Sequence, residues 1–134
     1  MTPYRVPVIT FGQYVFCFEA EDEDQSMRHH FINECGWSEK EFRRIKKYAW
    51  FSAKVSVWKD GEEIATDYLG ACCYKTEEQF YTTYKGDYFA DMVRECARET
   101  KDAALIARVD AWHEKLPVAQ ARRLSRKQAK KAEL

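Results

Sequence analysis

The sequence has few glycines and no long hydrophobic run, and these two shortages argue against a phosphate-loop protein and a transmembrane protein. With 5 glycines among 134 residues it lacks a glycine-rich phosphate loop, and it contains neither a GxSxG nucleophile elbow nor an HExxH zinc motif. No apolar stretch approaches the roughly 20 residues that cross a bilayer. The start of the chain does not resemble a secretory signal either, so we predict a cytoplasmic protein that does not bind membranes.

Cysteine and histidine occur without a recognisable metal or disulfide spacing. The 5 cysteines are irregularly placed, which argues against a disulfide framework and favours a reducing compartment. Adjacent histidines such as His29 and His30 diverge by about 100° on an α-helix, unlike the one-turn spacing of a zinc site. Cys35 follows His30 by five positions, a spacing that aligns a thiol and an imidazole poorly. The sequence therefore predicts no catalytic residue, no metal site and no cofactor.

Three aspartates are the remaining candidates for chemistry. Asp67, Asp87 and Asp91 could meet as magnesium ligands, because Asp87 and Asp91 are one helical turn apart. Each of the three has a simpler role. Asp87 can cap a helix, Asp67 can pair with a cation on the facing strand, and Asp91 can belong to a charged helix face. A small hydrolase or nuclease built from these aspartates or from a histidine is therefore the third functional class, behind two binding functions.

Strand signals occur in two parts of the chain. Residues 6–19 are rich in β-branched and aromatic side chains, with Gly12 and Gln13 as a bend between two short strands. The second part is a hairpin over residues 49–74, in which Asp60-Gly61 is a preferred two-residue turn. Pairing across this turn predicts the facing residues Lys59 and Glu62, Trp58 and Glu63, Val57 and Ile64, Val55 and Thr66, Lys54 and Asp67, Ala53 and Tyr68, and Trp50 and Ala71.

Helix signals separate and follow these strands. An apolar stripe predicts one amphipathic helix over residues 25–34. Ser38 and Glu41 have the spacing of a capping box, which predicts a second helix over residues 39–47. After the hairpin, a short helix precedes a helical pattern that runs from residue 88 to near residue 117.

Together these signals predict an α+β fold. A small antiparallel sheet, built around the Asp60-Gly61 hairpin, has helices packed on one face. We expect one domain over residues 1–117 and a basic C-terminal helix or tail over residues 118–134. The tail has too few large apolar side chains to hold a helix against a core.

Charge is segregated although the formal net charge is zero. Residues 122–134 contain six basic residues and one glutamate, a net charge of +5, which leaves −5 on residues 1–121. An acidic run near the end of the first hairpin and three tryptophans are the candidate contacts for a protein partner. These candidates are Glu19, Glu21, Asp22, Glu23, Asp24, Trp37, Trp50 and Trp58.

The alternative is nucleic-acid binding. A basic tail would neutralise phosphates, and an aromatic and basic sheet face around Trp50, Lys54 and Trp58 resembles a stacking platform. The near-neutral isoelectric point and the acidic run count against it. Its candidate residues are Lys54, Arg122, Arg123, Arg126, Lys127, Lys130 and Lys131.

A non-catalytic protein-binding module is the function that this combination predicts. At the level of class alone, a compact, aromatic-rich domain without motifs is typical of the inhibitors by which phages and plasmids occlude host defence or nucleic-acid-processing complexes. The sequence names no partner, and a homodimer is compatible with a tryptophan-bearing sheet face.

Overall fold

The computed structural model describes residues 5–82 and 88–117, which contain one four-stranded antiparallel sheet. The strands β1 (Val6–Phe11), β2 (Tyr14–Glu21), β3 (Ala49–Lys59) and β4 (Glu62–Tyr74) lie side by side in chain order. Gly12 turns the chain between β1 and β2 with a φ of +60°. The predicted antiparallel α+β fold is therefore confirmed.

The helices fall into two groups. Between β2 and β3 lie a π-helix (His29–Glu34) and α1 (Glu39–Arg43); after β4 come α2 (Gln79–Thr82), α3 (Tyr88–Glu99) and α4 (Ala103–Glu114). None of the helices in these described ranges has the length and apolar composition needed to cross a membrane. The predicted basic tail, residues 118–134, lies outside the described residues, as does Asp87.

The second group of helices covers one face of the sheet and encloses the core. On that face Phe16, Val55 and Val57 are 0% exposed. Phe80 of α2 stacks on Phe18 of β2, with ring centroids 5.4 Å apart. Because each large apolar side chain that is fully buried contributes about 1.5–3 kcal/mol, this face accounts for much of the stability of the fold.

The central hairpin begins at the predicted turn. Asp60 and Gly61 both have positive φ, +52° and +77°, and Lys59 faces Glu62 as expected. A bulge then displaces the pairing by one residue, so that Val57 faces Ala65. The predicted pairs beyond Glu63 are therefore wrong. Their partners are shifted by one residue, and by two after a second irregularity near Ala71.

The helical pattern predicted to run unbroken from residue 88 is divided into α3 and α4. Lys101 has a φ of +60°, a left-handed conformation that ends a helix. Asp102 then begins α4, and its carboxylate accepts a hydrogen bond from the Leu105 N–H at 3.2 Å. An aspartate three residues before Leu105 is a normal N-cap signal, so the division has a local cause.

Both edge strands carry features that oppose pairing with another strand. In β1, Pro7 has no N–H, and the register shifts directly after it. In β4, the Tyr68 N–H donates to the Asp67 carboxylate at 3.1 Å, and the Ala71 N–H donates to Glu23 Oε2 at 2.6 Å. Irregular pairing and carboxylates that occupy backbone donors are recognised protections of sheet edges.

Candidate functional site

The face of the sheet opposite α2, α3 and α4, called the outer face below, is formed by alternate side chains of β3 and its neighbours. Trp58, Ser56 and Lys54 belong to this row, since Val55 and Val57 point into the core. The Trp58 indole N–H donates to Ser56 Oγ at 2.8 Å. The Arg5 guanidinium lies 3.8 Å from the centre of the Trp58 ring. Trp58 is therefore held flat between the sheet and a cation.

A cavity of about 300 Å³ opens beside Trp58 on this outer face. Its apolar wall includes Val15 and Cys17, and burial raises the pKa of the Cys17 thiol. Arg5 and Asp60, which carry opposite charges, also line the cavity. An apolar pocket with a few polar groups suits the insertion of one side chain from a partner.

Lys54 lies in the middle of the outer face and is surrounded by carboxylates. Its Nζ is 3.2 Å from Glu63 Oε1 and 3.9 Å from Glu19 Oε1, and its side chain is 15% exposed. Burial would lower the pKa of Lys54, but these two carboxylates raise it overall. Lys54 faces Tyr68 in the sheet, not Asp67 as predicted. Its charge is already neutralised within the protein.

The other two predicted tryptophans are packed against the π-helix. Trp50 donates its indole N–H to the Gln25 carbonyl at 2.7 Å, and its ring lies 5.3 Å from that of His30. Trp37 lies 4.6 Å from Phe31 between ring centroids. Trp50 shares the outer-face row with Trp58, yet the segment around the π-helix covers it. The structure thus does not bring the three tryptophans into one exposed surface.

The predicted acidic run divides into residues with internal partners and residues facing solvent. Glu19 and Glu21 belong to β2, and the other three acidic residues follow its end. Glu19 contacts Lys54, and Glu23 accepts a hydrogen bond from β4. Asp22 and Asp24 are exposed. These two aspartates are therefore the members best placed to meet a partner.

A cluster that sequence reasoning rejected is assembled by the π-helix. Cys35 Sγ lies 3.7 Å from His30 Nε2, and His30 Nδ1 lies 3.4 Å from Glu34 Oε2. The Cys35 N–H donates to the His30 carbonyl at 3.0 Å, the i→i+5 bond of a π-helix. The prediction that five positions keep the thiol and the imidazole apart is wrong, because it assumed the α-helical repeat.

The Glu34 carboxylate is approached by the Gln25 amide and by two imidazole rings. The buried Gln25 side-chain nitrogen has no hydrogen bond of ordinary geometry among the described residues. The Gln25 side chain nevertheless has the largest effect among the groups that hold the pKa of the Glu34 carboxyl below its usual value. His29 and His30 lower this pKa further. His29 Nε2 is 3.5 Å from Glu34 Oε1, so the two imidazoles share one carboxylate.

The aspartates considered for metal binding have other contacts. Asp67 bonds the Tyr68 N–H, and burial raises the pKa of its carboxyl. Asp91 Oδ1 lies 2.8 Å from His113 Nε2, which joins α3 to α4. Within residues 5–82 and 88–117, no group of three histidine, cysteine, aspartate or glutamate side chains has an arrangement that could hold a metal ion.

Comparison with family models, with curated proteins and with solved structures finds no match to this chain.

Proposed function

We propose that this protein is a non-catalytic protein-binding module whose partner contacts the outer face of the sheet. The proposal rests on the cavity of about 300 Å³ beside Trp58. This cavity lies on the sheet face that α2, α3 and α4 leave uncovered. Tryptophan and arginine are the residue types most often found at energetic centres of interfaces. Here Trp58 and Arg5 are stacked on each other at the mouth of such a pocket.

Tyr68 extends this surface towards β4, and Ile64 is the residue that the bulge leaves out of the β3–β4 register. Their side chains are 58% and 43% exposed, which is high for large apolar residues. Tyr68 lies across from Lys54 in the same outer-face row as Trp58. A partner that covers Trp58 would reach Tyr68 next, so the two aromatics form the two anchors of the proposed contact.

The partner is expected to carry positive charge. Residues 1–121 have a net charge of −5, and Asp22, Asp24, Asp60 and Glu62 are exposed. Such a surface raises the association rate of a basic partner and makes that rate fall with salt. In this proposal the protein acts in the cytoplasm, where its 5 free cysteines stay reduced, and inhibits a host defence or nucleic-acid-processing complex by occluding it.

The test is capture of binding partners from nuclease-treated host lysate with the wild-type protein and two matched variants. Trp58→Ala removes the wall of the cavity, and Trp37→Ala removes a half-buried tryptophan at the other end of the molecule. We expect Trp58→Ala to weaken binding of the captured partner at least about 30-fold, which corresponds to about 2 kcal/mol. Trp37→Ala should bind like wild type, with circular dichroism checking that both variants fold.

The reverse result would contradict the proposed surface. Loss of the partner in Trp37→Ala and retention in Trp58→Ala would place the interface beside the π-helix. The charge contribution is tested separately with Asp22→Lys combined with Asp24→Lys, which spares the structural Glu23. We expect a lower association rate and an unchanged dissociation rate in this double variant.

Nucleic-acid binding is the second candidate, and a different surface favours it. Segment 40–47 contains five exposed cations that form no ion pair with another described residue: Lys40, Arg43, Arg44, Lys46 and Lys47. By contrast Lys54 is already paired with Glu63, and Trp50 is packed against His30. Recovery of nucleic acid alone, lost in high salt or when these five cations are replaced by glutamine, would favour this candidate on segment 40–47. Loss when the chain ends at Ala121 would instead assign the binding to the tail.

A further inference from the structure

The five cysteines differ sharply in their surroundings. Cys17, Cys72 and Cys96 are buried, Cys73 is half-buried, and Cys35 is exposed. Burial raises the pKa of Cys72 to about 11 and that of Cys96 to about 12. It also raises the pKa of Cys17 and Cys73. These four thiols are therefore poor nucleophiles, because the thiolate is the reactive form.

Cys35 combines exposure with a base and a carboxylate. The thiol sulfur faces His30 Nε2 at 3.7 Å, and Glu34 Oε2 lies 3.4 Å from the other nitrogen of the same ring. A nucleophile, a base and a group that orients the base are the three parts of an activated nucleophile. The His30 ring is itself held against Trp50 at 5.3 Å, so its orientation does not depend on Glu34 alone.

We propose that Cys35 is a reactive thiol that forms mixed disulfides with small-molecule disulfides, with His30 as its base and Glu34 as the group that stabilises the charged imidazole. The site is the exposed end of the π-helix, a type of irregularity that occurs frequently at functional sites. A cavity of about 260 Å³ lined by His30, Gly70, Ala71 and Tyr88 adjoins the imidazole and offers room for part of the incoming molecule.

The exchange balances without any further oxidant. His30 takes the thiol proton, and the Cys35 sulfur attacks one sulfur of the small disulfide. The bond between Cys35 and that sulfur forms as the original S–S bond breaks, and the second sulfur leaves as a thiolate that takes a proton. Cys35 is oxidised to the disulfide level, one sulfur of the small molecule is reduced to a free thiol, and its other sulfur remains at the disulfide level in the bond to Cys35. Excess free thiol reverses the step.

The experiment follows the reaction of the full-length folded protein with the uncharged reagent 4,4′-dithiodipyridine at pH 7. Release of the coloured thione gives the rate, and intact mass with peptide mapping gives the site. We expect one rapid equivalent at Cys35, which is absent in Cys35→Ser. His30→Gln should react about three- to tenfold more slowly, because less thiolate is present and the gain in intrinsic nucleophilicity offsets only part of that loss.

His29→Gln is the matched control. His29 is the same residue type in the same π-helix and contacts the same carboxylate, but Cys35 contacts His30. We expect His29→Gln to react at the wild-type rate. Equal rates in wild type and His30→Gln would overturn the proposal, since exposure alone would then explain the reactivity. Equal slowing in His29→Gln and His30→Gln would overturn it as well, because a general charge effect would then suffice.

A second measurement on the wild-type protein tests the role of His30 even if His30→Gln does not fold. The rate of alkylation of wild-type Cys35 by iodoacetamide is measured from pH 5 to pH 9. A thiol without a base loses about tenfold in rate for each pH unit below its titration, whereas a thiol paired with an imidazole retains a plateau. We expect the plateau. A rate that falls throughout this range would overturn the role of His30.

Discussion

The two faces of the sheet bury their side chains by different means. On the inner face, apolar residues such as Phe16 and Val57 are sealed by α2, α3 and α4. On the outer face, Ser56 and Cys17 lie away from α2, α3 and α4, yet they are only 0% and 3% exposed. Ser56 Oγ accepts a hydrogen bond from the Trp58 indole, and the Arg5 guanidinium lies over that indole ring. The inner face is thus covered by helices, whereas the outer face carries an indole, a guanidinium and the ion pairs of Lys54.

The largest loss of stability is expected for a substitution on the inner face. Phe80 is 2% exposed and contacts the rings of Phe18, Phe51, Tyr74 and Phe89. Phe80→Ala should lower the free energy of unfolding by about 3–5 kcal/mol, because it leaves a cavity in a packed aromatic cluster. Urea unfolding followed by circular dichroism measures this loss.

Tyr68→Ala is the comparison for that variant on the outer face. Its side chain is 58% exposed, so we expect a change within about 0.5 kcal/mol. Similar losses for Phe80→Ala and Tyr68→Ala would mean that the two faces do not differ in the way described.

An intermediate effect is expected where the outer face depends on charge. Lys54→Met leaves Glu19 and Glu63 facing each other without their cation, although the side chain that replaces lysine is of similar length. We expect a loss of about 1–3 kcal/mol in urea unfolding, the range for a buried polar group that loses its partner. Adding Glu19→Gln and Glu63→Gln to Lys54→Met should restore most of the loss, because no unpaired charge remains. Failure of this rescue would assign the loss to packing.

The smallest change in stability is expected for a substitution at the border between the inner face and α4. Tyr14 Oη donates to Asp102 Oδ2 at 2.8 Å, and this bond is the first cause that lowers the pKa of Asp102. A carboxyl whose pKa is lower in the folded state contributes stability at neutral pH and loses it as pH falls through the folded pKa. Tyr14→Phe should therefore lower Tm at neutral pH and flatten its decline below about pH 4.

The measurement is thermal unfolding of Tyr14→Phe and wild type over a pH series, with Tyr68→Phe as a control for removal of an exposed hydroxyl. The two curves of Tm against pH should converge in acid. Parallel curves for Tyr14→Phe and wild type would show that the Asp102 carboxyl does not sense the tyrosine.

Features with a local cause were predictable from the sequence. The Asp60-Gly61 turn has the positive φ angles that its residue types favour. Ser38 and Glu41 form the complete capping box, with Ser38 Oγ accepting from the Glu41 N–H and Glu41 Oε1 accepting from the Ser38 N–H. In both cases the interacting groups are close in sequence, so spacing and residue type were sufficient.

Features that depend on distant residues were not predictable in the same way. Ala71 has a φ of +55°, and its N–H is held by Glu23, which is 48 positions away. This irregularity displaces the β3–β4 register, and no pattern within the hairpin indicates it. The π-helix also depends on residues distant in sequence, since His30 and Phe31 pack on Trp50 of β3. The thiol cluster was missed for that reason, although Cys35, His30 and Glu34 are near neighbours in sequence.

The protected edges of the sheet have a consequence for how copies of this protein behave together at high concentration. A cross-β fibril grows by adding strands to a free edge, which requires a run of unoccupied backbone donors in regular register. Pro7 interrupts such a run in β1, and the carboxylates of Asp67 and Glu23 occupy donors in β4. Native molecules should therefore resist templated fibril growth, and aggregation would have to begin from an unfolded form.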